Sequence, residues 1–142
     1  MIKLLAAAIL LWSASVQAGE LWATGGGLSY HTQRDRGYNE RNLGFGLEYR
    51  SDKSNSIGAG TYRNSFRNDS VLIGHTWTPI GNDTVRAGIL WGTVTGYAGG
   101  PSPILLPMIT VERGMFGIAL TAWPPLRGES GGVALQFKLR LW

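Results

Sequence analysis

The sequence contains no cysteine. No disulfide can staple a small secreted domain, and no thiolate can help hold a structural zinc. Histidine is almost missing too, with His31 and His75 the only two. No Cys/His cluster exists for a metal, and no cofactor is expected. No apolar run reaches the roughly 20 residues that a membrane-spanning helix needs. No stretch shows a helical period. Basic residues never form a run; 13 Lys and Arg against 9 Asp and Glu are scattered through loops and strand ends. Nucleic-acid binding is therefore not indicated. A chain with room for one domain has a thin core. Without disulfide or metal it needs another source of stability, and a bilayer around a closed barrel would be one.

The first residues stand apart. Met1 to Lys3 is a short positive start, Leu4 to Trp12 an apolar run, and Ser13 to Ala18 a small-residue tail with Val16 and Ala18 at the positions a signal peptidase reads. The expectation is a secretory signal peptide over 1–18 and a mature domain over 19–142. The apolar run is too short for the alternative, an N-terminal helical anchor.

What remains is rich in glycine and aromatics and divides into eight extended runs, at about 21–32, 42–51, 55–63, 70–78, 84–96, 103–113, 115–123 and 132–142. Leu43, Phe45, Leu47 and Tyr49 share one face of the second run, opposite Gly44, Gly46, Glu48 and Arg50. Val133, Leu135, Phe137, Leu139 and Leu141 face away from Ala134, Gln136, Lys138 and Arg140. Charges opposite an unbroken apolar face are the pattern of lipid outside and polar lumen inside. The connections alternate: QRDRGYNERN, RNSFRND, GYAGGPS and PPLRGESG are long, whereas SDKSN, PIGND and ERG are tight. Outer-membrane barrels alternate in this way. The fold expected is all-β, an eight-stranded antiparallel transmembrane β-barrel in the bacterial outer membrane, as a monomer. A soluble sandwich or lipocalin-like barrel would fit the strand spacing, but not the loop asymmetry or the outward Phe and Leu series.

Eight strands leave no open pore. Glu48, Arg50, Arg86, Lys138 and Arg140 fall near one end of the lumen and could pair into a polar floor. Above them Gly44, Gly58, Gly60, Gly88, Leu90 and Ala134 are small or apolar. Such a lumen would accept a fatty acyl chain; a solid packed core fits the same residues. Pro103 and Pro107 lie in the sixth run, and proline cannot donate to a ladder. A gap there would give a lipid a lateral entrance.

The opposite rim carries His31, the Asn64-Ser65 corner, and Tyr38, Asn39, Glu40 and Arg41 on the first long loop. A histidine and a serine hydroxyl at one rim suit acyl transfer, with histidine as general base and serine as nucleophile or hydrogen-bonding aid. His75, on the fourth run, reads as an interfacial or lumen residue without chemistry.

These motifs resemble the lipid A palmitoyltransferase (PagP-like) family. The resemblance rests on Tyr30-His31, Tyr38-Asn39-Glu40-Arg41, Gly44-Phe45-Gly46-Leu47, Tyr62-Arg63-Asn64-Ser65-Phe66, Trp77-Thr78-Pro79 and Leu105-Leu106-Pro107, in the family's order. It implies transfer of a palmitoyl chain from a phospholipid donor to lipid A, without metal or soluble cofactor. His31 and Ser65 match the essential His and Ser. Asn64 stands where the family has an Asp, and an amide cannot supply the charge that steadies a protonated histidine. It could donate to an oxyanion, with Asp69, Asp35 or Glu40 as sources of the charge. The family's N-terminal amphipathic helix is missing, Gly25-Gly26-Gly27 replaces a proline before the histidine, and the stretch after Ser65 is shortened. Two other readings stay open: a non-enzymatic small outer-membrane barrel, and a lipid acyl hydrolase.

Overall fold

A computed structural model describes residues 19–97, 99–126 and 128–142. The expected signal peptide lies outside the described residues. The strands are β1 (Glu20–His31), β2 (Arg41–Arg50), β3 (Asn55–Arg63), β4 (Asp69–Gly81), β5 (Val85–Val94), β6 (Ser102–Arg113), β7 (Phe116–Trp123) and β8 (Gly132–Arg140). Each pairs antiparallel with the next, and β1 pairs with β8, so the sheet closes into an eight-stranded barrel. The expected fold class is what the chain adopts.

Period-two alternation decides which way each side chain points. Leu43, Phe45 and Leu47 point out, with Phe45 74% exposed. So do Ile57, Ile73, Leu105, Ile109 and Phe137. Charged side chains point in: Arg50, Glu112 and Lys138 are buried. A protein in water would bury the first set and expose the second. A hydrocarbon surround reverses the preference.

Connections 32–40, 64–68, 95–101 and 124–131 gather at one end, and the shorter 51–54, 82–84 and 114–115 at the other. The His31 loop and the Asn64-Ser65 corner therefore share one rim. A 3₁₀ turn, Arg34–Arg36, lies in the first connection. Two strands depart from regularity. In β1 the register shifts between Gly25 and Gly27 against β2, and Gly26 takes φ +63°, which a glycine adopts without strain. In β4 the ladder was expected to stop at Thr78. It runs to Gly81 after a shift between Trp77 and Ile80, the place where Pro79 cannot donate.

The opposite end is closed by ions. Arg50 binds Glu112 through two bonds of 2.9 and 2.6 Å and Glu20 at 2.8 Å. Lys138 donates to Glu48 and Glu112, each at 2.8 Å. Arg86 binds Glu112, and Arg140 binds Glu20 at 2.9 Å. Trp22, 1% exposed, lies among them, with Arg50 and Lys138 about 5 Å from its ring centre. The five residues expected in a floor are all there. Glu112, its hub, was missed because the sixth run reads as apolar. Its phase with the inward Met108 and Thr110 was the available signal.

Of the two readings of His75, lumen or interfacial, the lumen one fails. His75 shares the phase of the exposed Ile73 and Trp77, and Trp91 Nε1 donates to its Nδ1 at 3.0 Å on the outer face.

Candidate functional site

Above the ionic floor the lumen is hollow. A cavity of about 390 Å³ opens toward the long loops. Its apolar wall includes Leu72, Leu90, Ile104, Leu106 and Met108. Its volume lies within the ~300–1,000 Å³ of ligand pockets. Between Ile104 and Met108 the wall follows β6 for roughly 13 Å at the rise of an extended strand. The packed-core alternative therefore fails for the upper half of the barrel.

His31 ends β1 at the mouth of this cavity and is 4% exposed. Its imidazole stacks on Tyr38, centroids 4.4 Å apart, and meets the edge of Trp123 at 5.5 Å. Glu40 addresses it twice. Oε1 accepts the His31 backbone N–H at 3.1 Å and lies 3.9 Å from the Nδ1 atom. The His31 N–H bond, ahead of the smaller help from Arg34, holds the Glu40 carboxyl below the ordinary carboxylate range against an opposing desolvation effect. Arg34 binds both Glu40 oxygens, at 3.2 and 3.0 Å. Nδ1 has no hydrogen-bond partner among the described residues.

The rim is sewn together by polar bonds. Ser130 Oγ accepts the Gln33 backbone N–H at 3.0 Å, and Trp123 Nε1 donates to the Ser130 carbonyl at 3.0 Å. These hold the last long connection against the top of β1. Asn39 donates its backbone N–H to the Ser65 carbonyl at 2.8 Å and its amide to the Asn64 carbonyl at 3.1 Å. The first loop is thereby tied to the corner after β3.

Asn64 is fully buried, yet it does not line the cavity. Its Oδ1 accepts the backbone N–H groups of Phe66 (2.9 Å) and Asn68 (3.0 Å). Its Nδ2 donates to Ser70 Oγ (3.0 Å) and to the Gly96 carbonyl (2.7 Å). Every side-chain hydrogen-bonding position faces the scaffold. Gly96, at φ +83°, allows the chain to present that carbonyl. The geometry makes Asn64 the organiser of the corner; it presents no group to an oxyanion in the cavity.

Ser65, the next residue, does line the cavity. No hydrogen bond joins it to His31 among the described residues. The Tyr38 ring packs between the imidazole and Phe66, which it meets edge-on at 5.7 Å. Of the residues expected to bind substrate, Tyr38 lines the cavity. Asn39 pins loops, Glu40 faces His31, and Arg41 opens β2 with an exposed side chain. Pro107 points outward, away from the lining.

Pro107 nevertheless marks a break in the wall. The β6–β7 ladder extends from Arg113↔Phe116 only to Met108↔Thr121. Both strands continue beyond that pair, β6 back to Ser102 and β7 on to Trp123. The pairing stops where the proline begins, as a residue without N–H dictates.

A designed protein shares this architecture. The solution structure of the de novo designed TMB2.3 superposes with a TM-score of 0.66, over 87% of this chain and 95% of that one, at 11% identity. At that identity the likeness concerns the fold alone. It is a likeness to a designed transmembrane β-barrel, and a membrane location is compatible with it. The sequence matches no family model and no curated protein.

Proposed function

We propose that this protein is an outer-membrane acyltransferase that moves a fatty acyl chain from a phospholipid to lipid A. One observation carries the reading: a buried histidine, flanked by a carboxylate, stands at the mouth of a blind apolar cavity. The cavity takes the acyl tail, and its closed ionic floor stops the tail. The ester then lies near His31, which acts as general base toward the attacking hydroxyl and returns the proton to the leaving alkoxide. Glu40 orients the imidazole and stabilises its protonated form, the role an acid plays beside a catalytic histidine.

The break in the β6–β7 ladder above Pro107 supports lateral entry of the donor from the bilayer. The resemblance to the lipid A palmitoyltransferases names the acceptor. The asparagine at the family's aspartate position argues less strongly against the reading once Glu40 is seen beside His31. The rim exposes Arg36 and Arg67 in its loops and Arg41 at the start of β2, and such residues suit the phosphates of lipid head groups.

The test is mass spectrometry of lipid A from cells lacking their own acyltransferase, with and without this protein. A gain of one acyl chain that disappears with His31→Ala supports the transferase. Loss of a chain identifies a hydrolase. No change, with the barrel folded in the outer membrane, leaves a non-enzymatic barrel.

A further inference from the structure

Three serines line the cavity: Ser29, Ser65 and Ser130. They differ in what their hydroxyls do. Ser130 Oγ is engaged by Thr32 Oγ1, the Gln33 N–H and the Gly131 carbonyl. Ser65 sits on the corner after β3, with no hydrogen bond to His31 among the described residues. Ser29 Oγ is buried and has no hydrogen-bond partner among the described residues.

Ser29 lies two residues before His31 on β1, so both project from the same face of the strand, inward. Residues so spaced are roughly 7 Å apart along the backbone, a gap that the serine and histidine side chains can close by leaning along the strand toward one another. Nδ1 is the ring nitrogen turned to Glu40, which leaves Nε2 for the cavity. A buried hydroxyl without a partner is costly to leave unsatisfied, and such an atom in a native interior calls for an explanation. Here it shares a strand face with the imidazole, and both residues line a cavity sized for a ligand. One staggered step about χ1 redirects the serine hydroxyl.

From this arrangement we infer that Ser29, His31 and Glu40 form a nucleophile–base–acid set, with Ser29 rather than Ser65 taking the acyl chain covalently. This rests on the acyl-transfer reading above. Ser29 Oγ attacks the ester carbonyl of the bound lipid, and its proton goes to His31 Nε2. The tetrahedral centre collapses, the acyl–oxygen bond of the lipid breaks, and the leaving alkoxide takes that proton to depart as the lysolipid alcohol. The acceptor hydroxyl then gives its proton to His31 as it attacks the acyl–Ser29 ester. Ser29 leaves and recovers a proton from His31. No oxidant, metal or further reactant is needed.

The test uses the whole refolded barrel in detergent micelles and a long-chain alkyl fluorophosphonate, which reacts with activated serines and needs no acceptor lipid. Peptide mass mapping locates the adduct, and the heat-modifiable mobility of the barrel reports folding. The expected result is an adduct at Ser29, lost in Ser29→Ala and in His31→Ala. An adduct at Ser65, or none on a protein that acylates lipid A in the cells described above, overturns the inference and leaves the transferase standing. An adduct at Ser29 without any change in lipid A upholds Ser29 as nucleophile and overturns the transferase. Should Ser29→Ala fail to fold, the position of the adduct on the wild-type chain still decides.

Discussion

The carboxylate of Glu40 and the imidazole of His31 are linked at two points: a 3.1 Å bond to the backbone N–H and a 3.9 Å approach to Nδ1, both through Oε1. The first fixes where the carboxylate sits, so the second does not depend on a flexible side chain finding its place. Glu40→Gln keeps the shape and removes the charge. Acyl transfer should then fall by up to about 10⁴-fold, the cost of the equivalent change in a serine protease, as measured by donor turnover in micelles. A variant with full turnover would remove Glu40 from the mechanism.

Acid should act on the same contact. The Glu40 carboxyl is held below its ordinary value, so its contribution is complete above the unfolded carboxylate range near about 4.3. The contribution disappears only as pH falls through the lower folded value. The ¹³C shift of the Glu40 carboxyl in micelles should titrate below that range, with no step between neutral pH and about 5. A midpoint at or above the ordinary value would contradict the geometry.

Asn64→Asp restores the residue that the resembled family carries, and it should harm this protein. One carboxylate oxygen would replace the amide that donates to the Gly96 carbonyl at 2.7 Å. A buried acceptor would then face another acceptor, at a cost of about 1–3 kcal/mol or more for a charge. Unfolding in detergent should show the loss, with no gain in turnover. A stable variant with raised activity would return position 64 to the chemistry.

Glu112→Gln tests the floor. The carboxylate serves Arg50, Arg86 and Lys138 together. Breaking a buried ion cluster on one side costs about 3–5 kcal/mol, because the partners remain charged and unpaired. Denaturant unfolding should register that loss. A neutral result would mean that water reaches the floor and screens it.

Much of this protein is determined by the order of its residues. Alternation of period two, interrupted at regular intervals by polar turns, set eight strands close to their observed bounds. The side chosen by Leu43, Phe45 and Leu47 separated the lipid face from the lumen. The alternation of long and short connections placed His31 and Ser65 at one rim. These are local or nearest-neighbour properties, and each leaves a mark within a few residues.

Closure of the barrel decided the rest. Glu112 became the hub of the floor only when β6 stood across the lumen from β2 and β8. Asn64 turned out to hold the corner because Ser70 on β4 and Gly96 in the connection after β5 meet its amide. Glu40 met His31 because the first loop folds back over the mouth and is tied to the corner by Asn39. Such contacts join different elements of the fold, from six residues apart for Asn64 and Ser70 to 62 for Arg50 and Glu112. No periodicity records them, since they depend on how the sheet curves and on which side chains meet across a lumen.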